Sequence, residues 1–302
     1  MLETFRGEKT GWYQVGPKKY FLPSKYAQEA DHFLSFKTRS DDIWICTFPR
    51  SGTTLTQEMI WLIANNFDFE RAKSIPLAER FPFFEFNISL HDKAIEMINE
   101  NLDLKKQEML RHITQPAYKI LKDAPSPRFI KTHFPPSLLP RDIWQTGAKI
   151  IYVARNPKDV AASYYHLCRL WRTIGYEGGF DQFWDHFKSG LVTWGPFWPH
   201  VKEGWECRSN PNVLFLFCED IINDMPHSIQ RIANFLGCNA SKDQIKALQN
   251  HLDINNFKKN PAVNFECLKE LKLLLENEQP FIRIGMYSIY FHTDTIYIIS
   301  SN

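Results

Sequence analysis

Four short apolar runs do most to limit what this chain can fold into: Ile43–Phe48, Arg128–Thr132, Lys149–Ala154 and Val213–Phe217. Each is rich in β-branched or aromatic residues and too uniformly apolar for a strand with one wet face, so each is expected to be a strand covered on both sides. Between them lie stretches with helical spacing: Thr54–Asn66, Lys158–Leu170, Asp181–Ser189, Met225–Leu236 and Lys242–Leu252. Strands alternating with amphipathic helices predict an α/β fold, with a mostly parallel central sheet and helices on both faces. Such sheets bind ligands beyond the carboxyl ends of their strands. Three of the four runs end there in polar residues: Arg50-Ser51, Lys131-Thr132-His133 and Arg155. The intervening segment Phe67–Pro127 reads as irregular. Its cluster "RFPFFEF" (Arg80–Phe86) fits either a loop held down by phenylalanines or the wall of an apolar acceptor pocket.

Composition narrows the function. The 302 residues carry no repeat or low-complexity linker, so residues 1–302 are expected to form a single domain. Formal net charge is only +2, which gives no case for a nucleic-acid partner or a membrane surface. Any anion site must therefore be built locally. The six cysteines have no CxxC spacing, as expected of reduced thiols in a cytoplasmic protein. No apolar run has the length of a signal peptide core or a membrane span.

The stretch "TFPRSGTTLTQEM" joins a strand to a helix through Arg50, Ser51, Gly52, Thr53 and Thr54. Glycine lets backbone approach a ligand, the amides opening a helix suit an anion, and the hydroxyls and Arg50 add donors. By themselves these residues also fit a plain helix N-cap. The G-x-x-x-x-G-K-[ST] pattern that holds a triphosphate with its magnesium is absent. In "RFIKTHFPP", Lys131 and His133 leave a strand two residues apart, on one face. Histidine is the natural general base near neutral pH, and a lysine beside it can steady developing negative charge. In "YVARNPKDVAASYYH", Arg155 leaves a strand just before Asn156-Pro157 opens a helix that carries Ser163. By itself Arg155 fits a surface ion pair with Asp159.

Together these three segments resemble the cytosolic sulfotransferases. The likeness extends to "FLFCEDI" (Phe215–Ile221), "FKKNPAVN" (Phe257–Asn264) and "FIRIG" (Phe281–Gly285). It implies transfer of a sulfonate from 3′-phosphoadenosine-5′-phosphosulfate to the hydroxyl of a small apolar acceptor, with no metal. It implies His133 as base, and Lys131 with Arg50 as the cations that polarise the sulfonate. Arg50, Ser51, Gly52, Thr53 and Thr54 would hold the donor's 5′-phosphosulfate, with Leu55 also in the donor site; Arg155, Ser163, Arg283 and Gly285 would hold its 3′-phosphate. Arg50 stands where the family commonly has lysine, Leu55 where it has an adenine-stacking tryptophan, and Cys218 where "YED" has tyrosine. Leu252-Asp253-Ile254 replaces "TSF". After "FIRIG" the chain runs "MYSIYFHTDTIYIISSN", without the family's "RKGxxGDW" or its dimer segment, so residues 286–302 are an atypical tail and a monomer is expected. Two alternatives stay open: a donor-binding relative of low activity, and a P-loop nucleotide kinase.

Overall fold

A computed structural model describes residues 3–283, apart from 91–94, 97–98 and 100–102. Its first element is an antiparallel hairpin, β1 (Trp12–Val15) with β2 (Tyr20–Pro23). The central sheet holds β3 (Ile43–Thr47), β4 (Phe129–Thr132), β5 (Lys149–Ala154) and β6 (Val213–Phe217) in the order β4-β3-β5-β6, every pair parallel. These four strands match the four apolar runs to within a residue at either end. The hairpin was not anticipated.

Alternation along the strands sorts the core into two layers. Trp44 and Cys46 face one way with Ile130, Ile150 and Tyr152, against Val160 and Tyr164 of the helix Pro157–Leu170. Ile43 and Ile45 face the other way with Ile151 and Val153, against Ile60 and Ile63 of the helix Thr53–Ala64. Helices Met225–Leu236 and Lys242–Leu252 complete that second layer through Ile229, Ile232, Leu248 and Leu252. The inner strands β3 and β5 are thus dry on both sides, which is why they carry no polar alternation. Each large apolar side chain fully buried this way contributes about 1.5–3 kcal/mol.

Segment 67–127 is more ordered than its sequence suggested. Helices Phe69–Ser74 and Leu104–Ile113 are each opened by an aspartate, Asp68 accepting from the Arg71 amide and Asp103 from the Lys106 amide. Phe83 bridges to Lys131, and Phe84 N donates to Lys131 O (2.8 Å), so the phenylalanine cluster lies along the open edge of β4. A third apolar cluster joins Leu170 to Leu271, Leu273 and Leu274, bringing the chain's last described residues onto the helix Pro157–Leu170. Among the described residues no helix is long and apolar enough to cross a membrane. All six cysteines are free thiols.

Candidate active site

The loop after β3 is fixed by its own hydroxyls. Thr47 Oγ1 lies 2.7 Å from Thr53 Oγ1, and Thr56 Oγ1 donates to Gly52 O (3.0 Å). Gly52 sits at φ +89 as the residue before the helix, and a Cβ there would lie 2.7 Å from Cys218 Sγ. Both conformation and space therefore require glycine. Ser51 is fully buried and its hydroxyl has no hydrogen-bond partner among the described residues. An orphaned buried donor in a loop that opens a helix fits a phosphosulfate, which offers acceptor oxygens to this edge.

His133 follows β4 and is held at three points. Its Nδ1 donates to the Thr47 carbonyl (2.8 Å). A carbonyl can only accept, so Nδ1 carries the hydrogen and Nε2 is the basic nitrogen. Its amide donates to Glu85 Oε1 (2.6 Å), and its carbonyl accepts from His200 Nε2 (2.9 Å). Burial, then the Lys131 charge, holds the His133 imidazole well below its ordinary pKa. The ring is neutral at physiological pH, the state a general base needs. Phe83 meets it edge-on with ring centroids 4.9 Å apart and Trp194 at 5.3 Å, so two aromatic rings pack against the imidazole.

Lys131 Nζ lies 4.1 Å over the same Phe83 ring. Burial pulls its pKa down to about 8; the carboxylate of Glu85 opposes that pull and the charge of Arg50 adds to it. On the far side of the loop, Arg50 Nε donates to Ser163 Oγ (2.9 Å) and Nη2 to Phe281 O (3.0 Å). Arg155 does not pair with Asp159; its Nη1 donates to the carbonyl of Arg50 (3.1 Å). Arg283 Nη2 donates to Ala162 O (3.2 Å), next to Ser163. Asn156 caps this helix by accepting from the Lys158 amide, with Pro157 in its first turn, as the dipeptide suggested. Arg50, Ser163, Arg155 and Arg283 are thus brought together, and Lys131 and His133 meet through Phe83. Leu55 packs on the second core layer, and Thr54 is half-buried at the helix start. Gly285 and the tail 286–302 lie outside the described residues.

Sequence reasoning missed the supports. Glu85 is fully buried, and besides the His133 amide it accepts from Thr132 Oγ1 (2.8 Å). Burial raises its pKa to about 7 against the opposing His133 and Thr132 hydrogen bonds. A carboxylate inside a phenylalanine run was the available signal. His200 and Glu203 project from the helix Phe197–Glu206. His200 Nδ1 takes the Tyr152 hydroxyl (2.6 Å), and Glu203 accepts from the Ser137 amide (2.8 Å). One helix therefore grips both ends of the segment after β4.

Comparison with known proteins gives the family of the chain. The family description "Sulfotransferase domain" matches residues 40–290. Sulfotransferase 1 family member D1 of Mus musculus is 34% identical over 252 residues, covering 83% of this chain and 77% of the relative. Sulfotransferase 1E1 of Homo sapiens is 32% identical over 256 residues, covering 85% and 79%. Among solved structures, retinol dehydratase in complex with androsterone and the inactive cofactor PAP superposes with a TM-score of 0.87 at 37% identity, over 94% of this chain and 85% of the other. The chain belongs to the sulfotransferase family.

Proposed function

We propose that this sulfotransferase takes its sulfonate from 3′-phosphoadenosine-5′-phosphosulfate and passes it to the hydroxyl of an apolar alcohol or phenol, without a metal. When bound, the donor supplies an activated sulfur whose bond to the 5′-phosphate oxygen breaks as the acceptor oxygen attacks in line. The observation that carries the reading is the hydrogen bond from His133 Nδ1 to Thr47, which leaves Nε2 basic on a ring packed against Phe83. Nε2 takes the acceptor's proton, Lys131 stabilises charge on the transferring group, and the Ser51–Thr54 loop orients the phosphosulfate. Phe83 and Trp194 form the apolar wall on which the acceptor rests. Two solved relatives at 37% identity hold androsterone or retinol beside PAP, which supports an apolar alcohol as acceptor. Free thiols throughout support a cytoplasmic setting.

The test is incubation with sulfur-labelled donor and a panel of apolar alcohols and phenols, with and without EDTA. Labelled sulfate ester formed equally in both is expected; a magnesium requirement with no ester would favour a kinase. The name of the dehydratase relative supports a second outcome for allylic acceptors. There the ester loses hydrogen sulfate to leave an alkene, and the same assay separates the two products.

A further inference from the structure

Lys131 is held by its backbone on either side of Phe83: its amide donates to Pro82 O (2.9 Å) and its carbonyl accepts from Phe84 N (2.8 Å). This pairing sets the Phe83 ring under the side chain, with Nζ 4.1 Å from the ring centroid. Among the described residues no hydrogen bond or ion pair reaches that nitrogen. Glu85 is the carboxylate whose field favours its charge, yet both Glu85 oxygens are taken, by the His133 amide (2.6 Å) and the Thr132 hydroxyl (2.8 Å). Glu85, Arg50 and His133 are the ionisable groups that bear on Lys131. Burial, against the field of Glu85 and with that of Arg50, brings its pKa down to about 8. Lys131 and Phe83 are both half-buried, so the pair lies within reach of solvent. An amine desolvated on an apolar surface, with another cation nearby, is the kind that adds to carbonyl carbon near neutral pH.

We propose that Lys131 is a covalent capture site for apolar aldehydes, which form a reversible imine with it over the face of Phe83. The neutral Nζ gives its lone pair to the carbonyl carbon, and the carbonyl π pair moves to oxygen. Both protons of the amine leave with that oxygen as water, so one aldehyde and one amine give one imine and one water with no oxidant or reductant. The imine consumes the charge that Lys131 brings to the transferring group, so the aldehyde counterpart of an acceptor alcohol blocks transfer. That last consequence rests on the sulfotransferase reading; the imine itself does not.

Reductive trapping tests it. The full chain, without donor, is treated at pH 7 with benzaldehyde and sodium cyanoborohydride, whose hydride turns the imine into a stable secondary amine, and labelled lysines are mapped by peptide mass spectrometry. Formaldehyde, which gains nothing from an apolar surface, is run in parallel. Benzylation of Lys131 should run about tenfold or more ahead of the exposed lysines. Its rate should climb through pH 8 as the neutral amine forms, and its lead should shrink toward pH 10 as the other lysines lose their protons. Benzaldehyde labelling of Lys131 no faster than that of exposed lysines, or labelling by formaldehyde alone, would overturn the proposal. Sulfonation by the trapped protein, dialysed free of reagent, should fall in proportion to the label. If Lys131 is trapped but the untreated protein makes no sulfate ester, the sulfotransferase reading fails and the capture site stands. If the untreated protein makes ester and Lys131 stays unlabelled, the capture site fails alone.

Discussion

At the scale of single residues, His133 and Lys131 make opposite demands on pH. His133 works unprotonated, and burial beside Lys131 lowers its pKa, so the acid limb of kcat/KM should lie below pH 6.5. Lys131 works protonated, so the alkaline limb should fall near pH 8 with an alcohol acceptor that does not itself ionise there. Lys131→Arg should move that limb upward by more than a unit, because a guanidinium stays charged. A pH–rate series on both proteins checks this; an acid limb at or above 6.5 would remove His133 as the base. His133→Ala should cost about 10²–10⁴ in kcat while bisphosphate affinity stays near wild type. The pair was legible because period-two spacing at a strand end puts two side chains on one face. Glu85 was not, since its partners are the His133 amide and the Thr132 hydroxyl, and those meet it only once segment 82–84 lies along β4.

Among the elements, the loop after β3 is where local conformation and tertiary contact bear on one atom. Gly52→Ala adds a methyl at φ +89 that would lie 2.7 Å from Cys218 Sγ. The backbone term alone costs about 1–2 kcal/mol, and the contact adds to it. In a Cys218→Ala background the second term should vanish and the first remain. Thermal unfolding of the two single variants and the double variant should therefore show a favourable coupling of about 0.5–3 kcal/mol. Additive effects would mean that the loop relaxes away from Cys218. The central strands were readable because a sheet buried on both sides needs unbroken apolar runs. Hairpin β1–β2 was not, because β1 is largely solvent-facing and is defined by pairing with β2. The helices within 67–127 carried a readable sign in their capping aspartates, Asp68 and Asp103, but the phenylalanine cluster between them has no helical period. Helix Phe197–Glu206 was missed as well, although its His200 and Glu203 hold the segment after β4.

For the molecule as a whole, chemistry and stability sit at opposite ends of one sheet. The carboxyl ends of β3, β4 and β5 carry the loop, Lys131, His133 and Arg155. At the other end Asp42 precedes β3, and Arg128 precedes β4. Arg128 Nε and Nη2 donate to the two oxygens of Asp42 (2.7 and 2.6 Å), with both side chains almost wholly buried. The same guanidinium closes off Leu121 O and Lys37 O, so one buried cation ties three chain segments to the entry of the sheet. Replacing such a pair with apolar residues can be neutral, but removing one partner strands the other charge and costs about 3–5 kcal/mol. Asp42→Ala is therefore expected to lower Tm by on the order of 5–15 °C. The length of β3 and β4 separates this ion pair from the rim, so kcat and donor KM measured well below the lowered Tm should match wild type. Calorimetry and turnover on the same preparation decide it. Unchanged stability would mean that Arg128 finds water once Asp42 is gone. A fall in kcat at a temperature where the variant is fully folded would mean that the pair sets the register of β3 against β4, and with it the approach of His133 to Thr47.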